Sequence, residues 1–179
     1  METTAITKWK IDKAHSEVQF KAKHLVISTV TGQFNEFEAE LEMEDDKLEN
    51  AKAWFRADVN SISTNQPDRD KHLKSADFFD AENHPEITFE SIEIAHVDGN
   101  QYKMTGNLTM RGITKTITLD VEYGGTMVDP WGNTKAGYEI TGKVNRHDFG
   151  LKWNAATESG GLVVGKEITL SLNIKLIMS

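Results

Sequence analysis

Apolar and polar residues alternate with a period of two along most of the chain. In residues 17–24, Val18, Phe20 and Ala22 share one parity, and charged or polar residues occupy the other. Successive side chains of a strand point to opposite faces, so this alternation is typical of strands with one buried face. The same pattern predicts strands over residues 17–24, 30–43, 51–61, 86–97, 101–110, 113–123, 136–146 and 166–177.

Two interruptions of the alternation predict local features. The apolar parity changes within residues 30–43, which predicts a β-bulge near Asn35 and Glu36. A stretch with turn and helix signals predicts a short helical insertion around residues 66–80, with Asn65 as the N-cap residue of its helix.

The strands follow one another through short turns, and no repeated βα pattern interrupts them. That order predicts an all-β fold, a closed antiparallel barrel or a sandwich, in a single domain over residues 1–179. Apolar side chains on one face of each strand would form an interior that is either a solid core or a lipid-shaped cavity. The periodicity alone does not distinguish between these two.

Composition narrows the classes of function. The chain has 20 Lys and Arg residues against 28 Asp and Glu residues, a net charge of −8, which argues against general nucleic-acid binding. It has no cysteine, which excludes disulfides, thiolate nucleophiles and Cys-ligated metals. The N-terminal residues show no secretory signal, and no apolar segment has the length of a transmembrane helix. We therefore expect a cytoplasmic protein, or a periplasmic one if a signal was removed.

Two polar clusters are candidates for chemistry. Asp12, His15 and Ser16 are the residue types of a hydrolytic triad. In an extended chain, however, His15 would face away from the other two, so we expect a hydrogen-bond network at a strand start. Arg69 and His72 lie three residues apart on the helix, where they would contact a polar head group or form a local ion-pair network.

Arg146 continues the inward parity of its strand, which predicts a guanidinium at the end of the barrel interior. There it would pair with an acidic residue such as Asp70 or contact a ligand. The six histidines show neither a His-x-His nor a His-x-x-x-His spacing, so the sequence supports no metal site. Phosphate-binding and dinucleotide-binding glycine motifs are also missing, and we expect no cofactor and no catalytic residue.

Short motifs occur in order along residues 9–176. They are WKIDKAHS (9–16), HL (24–25), GQF (32–34), SIST (61–64), RDKHL (69–73), DFFD (77–80), HPEITF (84–89), GNLTMRGITK (106–115), NRHDFGL (145–151) and GKEI (165–168). Together they resemble the YceI-like family, the lipocalin-like polyisoprenoid-binding proteins of bacteria. The resemblance implies an extended eight-stranded antiparallel barrel with a short helical insertion. Family members are often exported and often dimeric, so a homodimer is a further expectation.

The resemblance also implies a non-enzymatic protein whose lumen binds a long isoprenoid or similar amphiphilic lipid, for transport, storage or sequestration. Candidate head-group contacts are Arg69, His72 and Arg146. The candidate lumen residues are Val18, Phe20, Phe34, Phe55, Phe78, Phe79, Phe89, Met104, Leu108, Ile117, Leu119, Ile140 and Leu170. Two alternatives remain: a solid barrel serving as a stress-related interaction module, and a hydrolase or isomerase that acts on a small amphiphile.

Overall fold

Strands dominate the computed structural model, which describes residues 5–25, 27–154 and 164–179. The strands are β1 (Ile6–Ile11), β2 (Glu17–His24), β3 (Ser28–Phe34), β4 (Phe37–Glu44), β5 (Lys47–Asp58), β6 (Ile62–Ser63), β7 (Glu86–Asp98), β8 (Gln101–Met110), β9 (Ile113–Val128), β10 (Thr134–Asn145) and β11 (Val164–Met178). The helix α1 spans Pro67–Lys74, and 3-10 turns span Lys13–His15, Val59–Ser61 and Arg146–Phe149.

Eight of these strands form a closed antiparallel ring. Their order is β1-β4-β5-β7-β8-β9-β10-β11, and β11 returns to pair with β1, where Trp9 lies opposite Met178. Closure gives each strand a partner on both sides over much of its length, which removes the edges of an open sheet. The predicted eight-stranded antiparallel barrel is confirmed.

The remaining strands extend the ring at one end. The strand β11 pairs with β1 near its C-terminus and with β2 over residues 168–173, so β2 continues β1 beyond the 3-10 turn at Lys13–His15. In the same way β3 continues into β4. The strand β3 pairs with β2 and with the two-residue β6. The strand β4 pairs with β1 and β5.

The predicted bulge near Asn35 and Glu36 is wrong, because the chain bends there and separates β3 from β4. Phe34 and Phe37 are both buried in the interior. Residues three apart in one strand would face opposite sides of the sheet, so the backbone must bend between Phe34 and Phe37. The parity change in the sequence therefore marks the end of one strand and the start of another.

The helix α1 lies in the predicted insertion, but its N-cap residue is Gln66 and not Asn65. The side-chain oxygen of Gln66 accepts a hydrogen bond from the backbone N–H of Arg69 at 2.6 Å. Asn65 has a φ of 62°, in the left-handed region, whereas an N-cap residue has an extended backbone. Because Asn65 has a left-handed backbone, the next residue, Gln66, caps the helix instead.

The two ends of the barrel differ. One end, which we call the hairpin end, has the short connections of residues 45–46, 99–100 and 129–133. The other, the insertion end, has the β2–β3 connection and the longer segments before β7 and after β10, including α1.

Candidate functional site

An apolar cavity of about 230 Å³ lies inside the barrel. The strands β2 to β5 and β7 to β11 contribute to its wall, with Leu73 of α1 and with Phe78 and Phe79 after the helix. The cavity extends from Leu176, near the hairpin end, to Val164, where β11 begins at the insertion end. An apolar cavity of about 150 Å³ is already large enough to bind benzene, so this one has room for a longer apolar group.

Every apolar residue that the sequence placed in the lumen lines this cavity, from Val18 on β2 to Leu170 on β11. The interior is therefore a cavity and not a solid core, although contact of these residues with a lipid stays a prediction. A further wall residue, Ile174, shares the inward parity of β11, and the same periodicity identifies it. Ile94 lies on the opposite parity from Phe89 and faces inward because the register of β7 shifts between Ser91 and Glu93. Leu151 follows a 3-10 turn, where no periodic pattern could have revealed it.

Aromatic rings cover the cavity toward the insertion end. The ring centroids of Phe20 and Phe34 are 5.6 Å apart, and those of Phe34 and Phe79 are 6.2 Å apart. Phe20 packs directly over Gly32, where a Cβ atom would overlap its ring. The wall at this end is thus a layer of large, flat side chains.

Arg146 is a charged residue in the cavity wall, and its side chain is 3% exposed. Its Nη1 donates hydrogen bonds to the carbonyl oxygens of Leu151 and Trp153 at 2.6 and 2.9 Å. Its Nε and Nη2 donate to the carbonyl oxygens of Gly165 and Val164 at 2.9 and 3.2 Å. One N–H group of Nη2 makes no hydrogen bond within the described residues.

The predicted pairing of Arg146 with an acid such as Asp70 is wrong. Asp70 accepts hydrogen bonds from the backbone N–H and the hydroxyl of Thr64, at 2.8 and 2.6 Å. Backbone carbonyl oxygens satisfy Arg146 instead, and no carboxylate of the described residues forms an ion pair with it. Burial lowers the pKa of Arg146, but a guanidinium stays protonated in proteins. A positive charge with no acidic partner among residues 5–25, 27–154 and 164–179 therefore lies beside the apolar cavity.

Arg69 and His72 do not line the cavity, and local contacts occupy both side chains. Arg69 donates from Nε and Nη2 to the hydroxyl and carbonyl oxygens of Thr64, at 2.7 and 2.8 Å. His72 bonds through Nε2 to a carboxylate oxygen of Asp77 at 2.9 Å, and its ring centroid is 4.6 Å from that of Trp153. These contacts hold α1 against the barrel.

Tyr138 contributes a phenol to the cavity wall, toward the hairpin end. Burial, with a smaller effect of the neighbouring Tyr123 and Tyr102, raises the pKa of Tyr138 well above its ordinary value. The phenol therefore stays neutral, whereas the buried guanidinium of Arg146, at the other end of the wall, is charged.

Asp12 and His15 form the predicted hydrogen bonds at the bend between β1 and β2, whereas Ser16 bonds separately to β11. Asp12 accepts hydrogen bonds from Nδ1 of His15 at 2.8 Å and from Nζ of Lys135 at 3.1 Å. Burial alone would raise the pKa of Asp12, but these two partners outweigh it and hold the pKa below its ordinary value. The Ser16 hydroxyl bonds to the backbone N–H and carbonyl of Lys175 and so ties the bend to β11.

In residues 5–25, 27–154 and 164–179, no three His, Asp or Glu side chains are grouped closely enough to hold a metal ion. The single helix of this part of the chain is too short and too polar to cross a membrane.

The YceI-like domain matches residues 9–176, which include the whole cavity wall. The chain belongs to the YceI-like family. A UPF0312 protein of Staphylococcus epidermidis is 38% identical over 164 residues, which cover 91% of this chain and 93% of that protein.

Two solved structures have the same barrel. The YceI protein of Campylobacter jejuni is 32% identical, with a TM-score of 0.76 over 100% of this chain and 99% of that one. A polyisoprenoid binding domain from Saccharophagus degradans, implicated in plant cell wall breakdown, has a TM-score of 0.68 at 13% identity. That match covers 96% of this chain and 98% of the domain, and at this identity it shows the shared fold.

Proposed function

We propose that this protein binds a long isoprenoid, or an amphiphile of similar shape, in the barrel cavity and does so without catalysis. The observation that supports this most is the cavity itself, about 230 Å³ of space surrounded by apolar side chains. The polyisoprenoid-binding domain of the same fold supports an isoprenoid as the class of ligand.

Apolar contact would supply the affinity. At roughly 30 Å³ per group of the size of a water molecule, the cavity has room for about eight chain carbons. Burial of a methylene stabilises by about 0.8 kcal/mol, so these carbons would contribute about 6 kcal/mol before the cost of ordering the chain. This burial energy alone corresponds to a dissociation constant of tens of micromolar. Contacts to a head group and to more of the chain would lower the constant further.

The head group would lie at the insertion end, beside Arg146. Within the described residues, one N–H group of Arg146 Nη2 makes no hydrogen bond and no acid pairs with the guanidinium, so it would favour an anionic or hydrogen-bond-accepting group. The chain would extend from there toward Leu176, and Phe78 and Phe79 would close over it as part of a lid. Arg69 and His72 would act indirectly, by holding α1 in place.

Organic extraction and mass spectrometry of the purified protein, with native mass spectrometry of the intact chain, test the proposal. A stoichiometric apolar adduct, or stoichiometric uptake of added geranylgeraniol, would support it. An unliganded mass with no uptake would contradict it and favour an interaction module. Chemical conversion of the added amphiphile would favour the hydrolase or isomerase instead.

The homodimer, the single domain and the cytoplasmic location stay predictions. Sedimentation velocity of the purified protein tests the homodimer. Limited proteolysis tests the single domain, and cell fractionation tests the location.

A further inference from the structure

The connection between β2 and β3 exposes large apolar side chains at the insertion end. Ile27 is 90% exposed and Leu25 is 41% exposed. Leu25 also has a φ of 53°, in the left-handed region that a leucine seldom adopts. Two aliphatic side chains are thus exposed to water at this connection.

Lysines flank this apolar tip on the neighbouring strands. Over residues 20–34 the only acidic or basic side chains besides His24 are Lys21 and Lys23, although the whole chain has a net charge of −8. Both lysines are exposed, and Lys23 packs beside Gly165 on β11, which Lys166 follows. The nearest acidic residue of that strand, Glu167, forms an ion pair with Lys143 at 3.6 Å.

The β4–β5 turn at the hairpin end is acidic. The β4–β5 turn and its flanking positions contain Glu42, Glu44, Asp45 and Asp46. The exposed Trp131 lies at this acidic end, in the β9–β10 connection. Exposed aliphatic side chains therefore lie beside exposed lysines at the β2–β3 tip, whereas four acidic residues cluster at the β4–β5 turn.

The cavity reaches the apolar tip. Val164 lines the cavity and pairs with His24, the residue that precedes Leu25. Phe20 and Ala22 of the same strand line it as well. A surface in contact with the tip would therefore lie next to the end of the cavity.

We propose that the β2–β3 hairpin tip docks the protein on an anionic lipid bilayer. Leu25 and Ile27 enter the interface between head groups and acyl chains, and Lys21 and Lys23 contact the lipid phosphates. Short apolar insertions flanked by lysines bind anionic membranes in this way, because apolar burial and attraction to the negative surface add. Docking would place the insertion end against the bilayer, and it does not depend on what occupies the cavity.

Flotation with vesicles of mixed phosphatidylglycerol and phosphatidylcholine tests the proposal. The full-length protein is expected to float with these vesicles at low ionic strength, and to float less with pure phosphatidylcholine or in high salt. Failure to float with the anionic vesicles at low ionic strength would overturn the proposal.

Variants then locate the docking surface. The Ile27→Ser variant should lower the vesicle partition coefficient about tenfold, because one aliphatic side chain no longer enters the interface. Replacing Lys21 and Lys23 by glutamate should lower it by at least as much. Ile92→Ser is the matched control, since Ile92 is 62% exposed on the side of the barrel, and it should leave flotation unchanged.

The opposite outcomes are equally specific. Loss of flotation in Trp131→Ser but not in Ile27→Ser would place docking at the hairpin end and overturn the proposal. If Ile27→Ser only converts a dimer into a monomer in sedimentation velocity, a second copy covers the tip. Geranylgeraniol uptake in vesicle-free buffer, followed by native mass spectrometry, reports on the cavity separately, so its failure is distinguishable from a failure to dock.

Discussion

Blocking the cavity at Leu108 would separate binding in the lumen from binding elsewhere. Leu108 is buried on β8, faces the cavity and pairs with Phe89 on β7. In Leu108→Trp, the indole adds about six non-hydrogen atoms at this point, and they would enter the adjoining empty space. We therefore expect the barrel to fold, with a stability loss of less than about 2 kcal/mol.

The expected loss of affinity follows from the displaced chain. If the indole takes the place of about six carbons of the ligand, the lost burial is about 5 kcal/mol at ~0.8 kcal/mol per carbon. A flexible chain that moves toward the insertion end recovers part of this. We expect binding of geranylgeraniol to weaken by about two to three orders of magnitude.

The assay is a titration of the delipidated protein with geranylgeraniol, followed by native mass spectrometry, with circular dichroism to verify the fold. Asn107→Trp is the matched control, because Asn107 is the preceding residue of the same strand and is exposed on its outer face. An unchanged affinity in a folded Leu108→Trp protein would refute binding in the cavity. An equal loss in Asn107→Trp would show that the effect is not specific to the lumen.

Three further perturbations test the architecture around the cavity. Arg146→Leu removes hydrogen bonds to four carbonyl oxygens. The free energy of unfolding, measured by urea denaturation, should therefore fall by about 3 kcal/mol. A change below about 1 kcal/mol would contradict the structural role of the guanidinium. Asp12 has a lowered pKa, so its contribution to stability is present at neutral pH and is lost as the pH falls through that pKa. Asp12→Asn should therefore lower the melting temperature at pH ~7, and the two proteins should melt at similar temperatures well below pH ~4. The same difference in melting temperature at both pH values would refute this link between the pKa of Asp12 and stability. Gly106→Ala should lower the melting temperature more than Gly137→Ala, because a Cβ at Gly106 would overlap the backbone oxygen of Glu90, and equal shifts would contradict this packing.

The inward faces of the long strands were predictable from the sequence because a strand repeats every two residues. Phe89 and Met104 are separated by a turn, yet each continues the apolar parity of its own strand, and both line the cavity. The same reasoning failed for β1. Trp9 is its only buried residue, so the alternation there is too short to indicate a strand. Its partners, Leu41 and Met178, are distant in sequence.

The surroundings of the polar candidates depended on tertiary structure. The inward direction of Arg146 follows from parity, but its partners are backbone carbonyl oxygens, which every residue has and no sequence pattern distinguishes. The bend between Phe34 and Phe37 could likewise not be predicted from the sequence. It follows from the burial of both side chains, which only the tertiary structure shows.

The sequence by itself determined that this protein has long strands with one apolar face and a short helical insertion, since those features depend on local periodicity and on turn residues. Only the tertiary structure decided that the interior contains a cavity. The space inside a barrel depends on how many strands close the ring and how far they tilt, and closure joins Trp9 to Met178 across nearly the whole chain. Apolar side chains of the same kinds would fill a smaller ring completely, whereas this ring leaves about 230 Å³ between them.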